Sequence, residues 1–134
     1  MAAYRQVLLL AVVVAAAWPA SATQWMVGNG GGWGPFLNQS GWADGKTFRV
    51  GDSLGFRVQS GAHTVAQVGE EDFAACNLDG NLLGFWDSGS DVVQLDQPGK
   101  MWFICTKPGH CDYGVKLAVD VKDGALTPSP SPAP

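Results

Sequence analysis

Fourteen residues, FICTKPGHCDYGVK from Phe103 to Lys116, restrict the possible folds of this chain more than any other stretch. They contain two of its three cysteines and one of its two histidines. The apolar run MWFIC leads into them and reads as a strand. Beyond them Val115, Leu117, Val119 and Val121 alternate with Lys116, Ala118, Asp120 and Lys122. That period of two marks a half-buried strand and puts Val115 on its inward face. TKPG is a turn that brings His110 back five residues after Cys105. Such a loop presents Cys105, His110 and Val115 towards one point at the edge of a sandwich.

The odd cysteine count is informative only in an oxidising compartment, and the N-terminus points there. In MAAYRQVLLLAVVVAAAWPASA, Arg5 is a positive start, Val7 to Ala17 is an unbroken apolar run, and Ala20-Ser21-Ala22 is a small-residue cleavage signature. The run is too short to span a bilayer, which needs roughly 20 residues. Residues 1–22 are therefore expected to be a signal peptide, with a mature chain from Thr23. Without Arg5 the chain has 7 basic against 12 acidic residues, a net charge of −5 with both histidines neutral. This balance leaves no basic footprint for nucleic acid and no polybasic patch for anionic lipid. A secreted chain of this kind forms disulfides, and three cysteines leave one thiol over. The count fixes no connectivity: the thiol left over pairs with another chain, stays buried and inert, or binds a metal.

Short strands punctuated by 18 glycines and 8 prolines fill the middle of the chain. TQWMVG is a strand before the loop NGGGWGPF, and KTFRVGDSLGFRVQSGAHTVAQV alternates in two segments around the turn VGDS. Gly55 inside the second segment marks a bulge or a close approach. EEDFAAC suggests one helical turn before Cys76, and NLDGNLLGFWDSGSD reads as a polar, Gly-rich connection. DVVQL and MWFIC are strands separated by DQPGK. The pattern predicts an all-β, Greek-key β-sandwich over residues 23–122 with short helical turns. Residues 123–134, DGALTPSPSPAP, cannot build a core and are expected to form an extended tail.

Cys105, His110 and the distant His63 together supply a thiolate and two imidazoles. This is the His₂Cys trigonal set of blue-copper electron transfer. Around it lie WMVG with a following GW, KTFRVGDSLGF, HTV, FAACN, GSDVVQL and WFICTKPGHCDYGVKLAV. In these motifs, running in order from Gln24 to about Val121, the chain resembles the plant phytocyanins, blue copper proteins of the cupredoxin class. The Cys-x4-His-Cys run, with a Cys thirteen residues after the upstream His, is its most specific part. The resemblance implies that His63, Cys105 and His110 bind one copper ion, and that Cys76 pairs with Cys111. It also implies that the edge of His110 passes the electron.

Val115 departs from the resemblance, because similar phytocyanins carry Met or Gln there as a weak axial ligand. Valine has no donor atom, so three strong ligands are expected, with at most a distant carbonyl from the segment before His63. Loss of an axial donor removes part of the preference for Cu(II). The reduction potential should thus exceed that of Met- or Gln-bearing relatives. Met26 or Met101 swinging in is the competing arrangement, although Met101 occupies a packing position on its strand.

The expected function is therefore single-electron transfer outside the cell, in the apoplast or wall, with no enzymatic activity. Two histidines cannot also furnish the histidine-rich centres of copper oxidases, and GNGGGWG does not precede a helix as a phosphate loop must. The partner is a redox protein or a small-molecule reductant or oxidant, and the carrier is expected to be a monomer. The mature chain has no intrinsic membrane span, which leaves association with the plasma membrane through a partner open. The alternative is a non-redox wall module, in which the exposed-looking Trp33, Phe36 and Trp42 bind carbohydrate, although tryptophans in such places more often pack in a core or at its edge. Asn38-Gln39-Ser40 is an N-glycosylation sequon in a polar loop.

Overall fold

The structure is a computed structural model that describes residues 21–59 and 61–124. The first twenty residues of the expected signal peptide and positions 125–134 of the expected tail lie outside the described residues. Among the described residues eight strands run β1 (Gln24–Met26), β2 (Phe48–Arg49), β3 (Ser53–Arg57), β4 (Val65–Val68), β5 (Gly84–Trp86), β6 (Ser90–Gln94), β7 (Gly99–Ile104) and β8 (Lys116–Lys122). They form two sheets, ordered β1-β3-β6 and β2-β8-β7-β4-β5. β1 pairs with β3, and β2 with β8, in parallel; the other ladders are antiparallel. Two short helices, α1 (Leu37–Ser40) and α2 (Glu70–Ala75), sit in the connections. The all-β sandwich expected from the sequence is the fold found.

The central strand β7 explains its own unbroken apolar run. Phe103 and Cys105 face the main core between the sheets, where Phe103 meets Phe56 at 5.6 Å and Phe56 meets Trp33 edge-on at 5.0 Å. Ile104 faces the opposite way, into a smaller cluster with Ala66, Val68 and Cys111, against which Phe73 of α2 packs. A strand covered on both faces needs apolar side chains at consecutive positions. Its partner β8 is covered on one face only. There Leu117, Val119 and Val121 are buried and alternate with exposed Ala118, Asp120 and Lys122, as predicted.

Some expectations change in three dimensions. NLDGNLLGFWDSGSD is not all connection, because Gly84–Trp86 forms β5 at the edge of the larger sheet. Its alternation was hidden because Phe85 points outward and is 47% exposed; only backbone pairing with β4 makes it a strand. Trp33 and Trp42 are not exposed but buried, at 2% and 8%. Their indole N–H groups donate to the Thr64 carbonyl and to Asn29 Oδ1. Phe36 alone of the three is exposed. Asn38 lies in α1 rather than in a loop. Gly55 marks a close approach and not a bulge, since β3 pairs through it without interruption on both sides. A Cβ there would come within 2.7 Å of Met26 Sδ.

Asp52, at the corner between β2 and β3, is a buried carboxylate that ties three segments together. Its Oδ1 accepts the Thr23 N–H at 2.9 Å; Oδ2 accepts the Trp25 indole N–H and the Arg49 N–H, both at 3.0 Å. Burial alone would raise its pKa, but these three donors and the charge of Arg49 outweigh it and hold the carboxyl below its ordinary value. The folded state therefore binds fewer protons than the unfolded one between the lowered value and about 3.9. The contribution of Asp52 is complete above that window and is lost as pH falls through it. Urea titrations at pH 6 and pH 3 should show the wild type losing more stability on acidification than Asp52→Asn. Equal losses would contradict this assignment.

Candidate metal centre

Local sequence builds most of the site. Cys105 directly follows β7, and its N–H donates to the Val115 carbonyl at 3.0 Å. Between them Lys107-Pro108-Gly109-His110 closes a turn, with the His110 N–H on the Lys107 carbonyl at 3.0 Å. Pro108 and Gly109, whose φ is +82°, fit the second and third positions of a type II turn. A short 3-10 turn, Cys111–Tyr113, then leads through Gly114 to Val115. Gly114 has φ +89° and is pressed against Phe36 Cα and the Gln39 side chain, so any larger residue would collide. His63 comes from the other connection, between β3 and β4.

The three side chains converge. His110 Nδ1 lies 3.0 Å from His63 Nδ1, and Cys105 Sγ lies 3.5 Å from His110 Nδ1 and 3.7 Å from His63 Nδ1. A circle through three atoms with these separations has a radius of about 2.0 Å, close to the length of metal–imidazole bonds. Cys105 is completely buried and is the one free cysteine, while both imidazoles are half-buried. Burial first, and then the positive charges of His110 and Lys107, lower the pKa of His63. The neutral imidazole that this favours is the form with a lone pair to give to a metal. A buried thiol and two inward-turned ring nitrogens thus fit a soft, small cation such as copper.

Two threonines absent from the sequence-based set hold the site together. The Thr64 hydroxyl accepts the Thr106 N–H at 2.8 Å and shares a hydrogen bond of 2.7 Å with the Thr106 hydroxyl. This clasp joins the loop of His63 to the loop of Cys105. The Thr64 N–H also points at Cys105 Sγ, at 3.4 Å, as does the Lys107 N–H at 3.5 Å. The available signal was adjacency, since each threonine directly follows one of the candidate ligands. Val115 is completely buried in the main core, where it offers no donor atom. Met101 packs on that core and Met26 lies against Gly55.

The cysteine ambiguity is resolved in favour of Cys76–Cys111, with Cα atoms 5.7 Å apart. The bridge fastens the end of α2 to the residue after His110. Closing 35 residues into a loop stabilises a fold by roughly 3–4 kcal/mol in the chain-entropy account. The double replacement of Cys76 and Cys111 by alanine should lower the stability measured by denaturant titration by about that amount. A loss below about 1 kcal/mol would show that the loop is held by other contacts. Beside the bridge, Lys116 Nζ donates to the Phe73 carbonyl at 2.6 Å and lies over the Phe73 ring.

Known proteins place this arrangement in a family. Residues 33–115 match the model of the plastocyanin-like domain. A blue copper protein of Pisum sativum is 42% identical over 113 residues, covering 84% of this chain and 59% of the pea protein. One of Petunia hybrida is 41% identical over 121 residues, with 87% and 45% covered. The chain thus spans only about half the length of these two relatives. The solved structure of cucumber stellacyanin aligns with a TM-score of 0.68 at 36% identity, covering 78% of this chain and 98% of that one. With its two-sheet sandwich, its Cys76–Cys111 bridge and these relatives, the chain belongs to the plant phytocyanins, within the plastocyanin-like domain family.

Proposed function

We infer that this chain is a secreted, monomeric carrier of single electrons, in which His63, Cys105 and His110 hold one copper ion. The observation that carries this reading is the convergence of two Nδ1 atoms and one Sγ at bonding distance around a common point. Copper, when bound, supplies a one-electron couple between Cu(II) and Cu(I). The protein fixes the three donors before the electron arrives. Cys105 is anchored through the Val115 carbonyl, His110 through its turn and the neighbouring disulfide, and His63 through the threonine clasp. Side chains held this way rearrange little between the two oxidation states. The N–H groups of Thr64 and Lys107 withdraw charge from the sulfur, and Val115 adds no fourth donor; both favour the reduced state.

His110 is half-buried and flanked by exposed Pro108, Gly109 and Asp112, which supports its ring edge as the port for the electron. The partner is a redox protein or a small reductant or oxidant that reaches this edge. No helix among the described residues is long and apolar enough to cross a membrane. Asn38 is exposed in α1 and is proposed to carry an N-glycan in the extracellular space. The carbohydrate-binding alternative is weakened by the burial of Trp33 and Trp42, which leaves Phe36 without aromatic companions from that set.

The deciding experiment is the absorption and EPR spectrum of the protein loaded with Cu(II). An intense band at roughly 600 nm, where resemblance to the blue copper proteins puts a copper–thiolate charge transfer, supports the proposal. A colourless protein would reject it and bring the wall-module reading forward.

A further inference from the structure

The hydrogen bond between Thr23 and Asp52 acquires a different meaning when set beside the cleavage signature. Asp52 is only 6% exposed. In the uncleaved chain its contact partners are three neutral N–H donors, from the backbone of Thr23, the indole of Trp25 and the backbone of Arg49. Among the described residues the carboxylate has no ion pair, since the pair found is Lys122 with Asp120. Arg49 is the charged group that acts on it, and it meets Asp52 through its backbone. The three donors and the nearby charge of Arg49 keep this carboxylate ionised, so it is a charged acceptor already in place for a cation to contact.

The nitrogen that touches Oδ1 belongs to the residue directly after Ala20-Ser21-Ala22. Ser21, Ala22 and Thr23 are all exposed, so the Ala22–Thr23 peptide bond is open to a protease. Hydrolysis of that bond by a water-using peptidase leaves a carboxylate on Ala22 and an amino group on Thr23. The amino group takes up a proton at neutral pH. Its position is already fixed on the other side, because the Thr23 carbonyl accepts the Ser53 N–H at 3.0 Å and β1 pairs with β3 from Gln24 onward.

We propose that removal of residues 1–22 converts the Thr23 nitrogen into an α-ammonium group docked on Asp52, so that processing completes a partly buried ion pair which the uncleaved chain lacks. Asp52 is then the receptor for the new N-terminus, and β1 is locked to the sandwich by a charge made only at secretion. This inference rests on the secretion part of the functional reading and not on copper. An ammonium group has three donors, and the Oδ1 facing it has accepting capacity left beside the Thr23 contact. No rearrangement of the backbone is needed.

The test uses the protein secreted from the full-length chain by a eukaryotic host. Mass spectrometry of the N-terminal peptide should find Thr23 first. Competitive labelling of the α-amine across pH should then give a pKa at least one unit above its usual range of about 7.7–8.0. Asp52→Asn, which keeps an acceptor but removes the charge, should return it to that range. A first residue other than Thr23 would overturn the cleavage assignment. Thr23 as first residue with an α-amine titrating in its usual range would overturn the ion pair. If the Asn variant does not fold, the wild-type titration decides alone. None of these readouts depends on the metal.

Discussion

Cys105→Ser should abolish the intense visible band of the copper-loaded protein completely, leaving at most the weak absorption of ordinary Cu(II). The substitution keeps the side-chain skeleton but replaces a large, soft, polarisable sulfur by a smaller, hard hydroxyl oxygen. The band depends on charge transfer from thiolate to copper, which a hydroxyl does not supply. Cys105 is fully buried and is approached by the N–H groups of Thr64 and Lys107, which a serine oxygen can also accept. The fold should therefore survive, which far-ultraviolet circular dichroism can verify on the same sample. Copper affinity should fall as well, because the thiolate is the one anionic donor in the set. A variant that retains the full band would show that Cys105 does not hold the metal.

Val115→Met should lower the reduction potential by roughly 60 mV or more, which corresponds to a tenfold gain in preference for Cu(II) in a one-electron couple. The sign follows from charge, since an added sulfur donor stabilises the more highly charged ion over Cu(I). Position 115 suits the experiment because its backbone is held at both ends. Its carbonyl accepts the Cys105 N–H, and its own N–H donates to the His110 carbonyl. The side chain is completely buried, so a longer residue also costs about 1–3 kcal/mol of stability by overpacking. Val115→Leu provides the control, with added bulk but no donor. A potential that moves equally in both variants, or that rises with methionine, would mean that packing and not ligation sets it.

Much of this was legible in the sequence because it is encoded over short distances. The turn KPGH needs only a proline and a glycine at adjacent positions, and it alone returns His110 towards Cys105. The inward stripe of β8 is legible because one of its faces is solvated, so apolar and polar residues must alternate. α2 is announced by Glu70, Glu71 and Asp72, acidic residues suited to the positive end of a helix. The resemblance to phytocyanins supplied the pairing of Cys76 with Cys111, which spacing could not.

Other features were illegible for a physical reason. β5 is a strand through its backbone pairing with β4, and its outward Phe85 reverses the pattern that would have revealed it. No local pattern separated packing from exposure at Trp33 and Trp42; the folded chain covers both and satisfies both indole N–H groups. The Thr64–Thr106 clasp joins residues 42 apart, and no local pattern marks it. Nor does any local signal show that Asp52 would wait at the point where Thr23 leads into the first strand.

By itself, then, the sequence determined the strand-and-turn grammar, the inward stripe that ends at Val115 and the donor types available at Cys105, His110 and His63. Local sterics and the periodicity of side chains are sufficient for those. The free cysteine came from the resemblance and is borne out by the Cys76–Cys111 bridge, whereas only the tertiary structure decided which tryptophans are hidden. It also decided that His63, 42 residues away from Cys105 in the chain, comes to lie 3.7 Å from its sulfur. Those outcomes depend on contacts that form when two sheets close over a shared core, and a one-dimensional pattern carries no distance between residues that far apart.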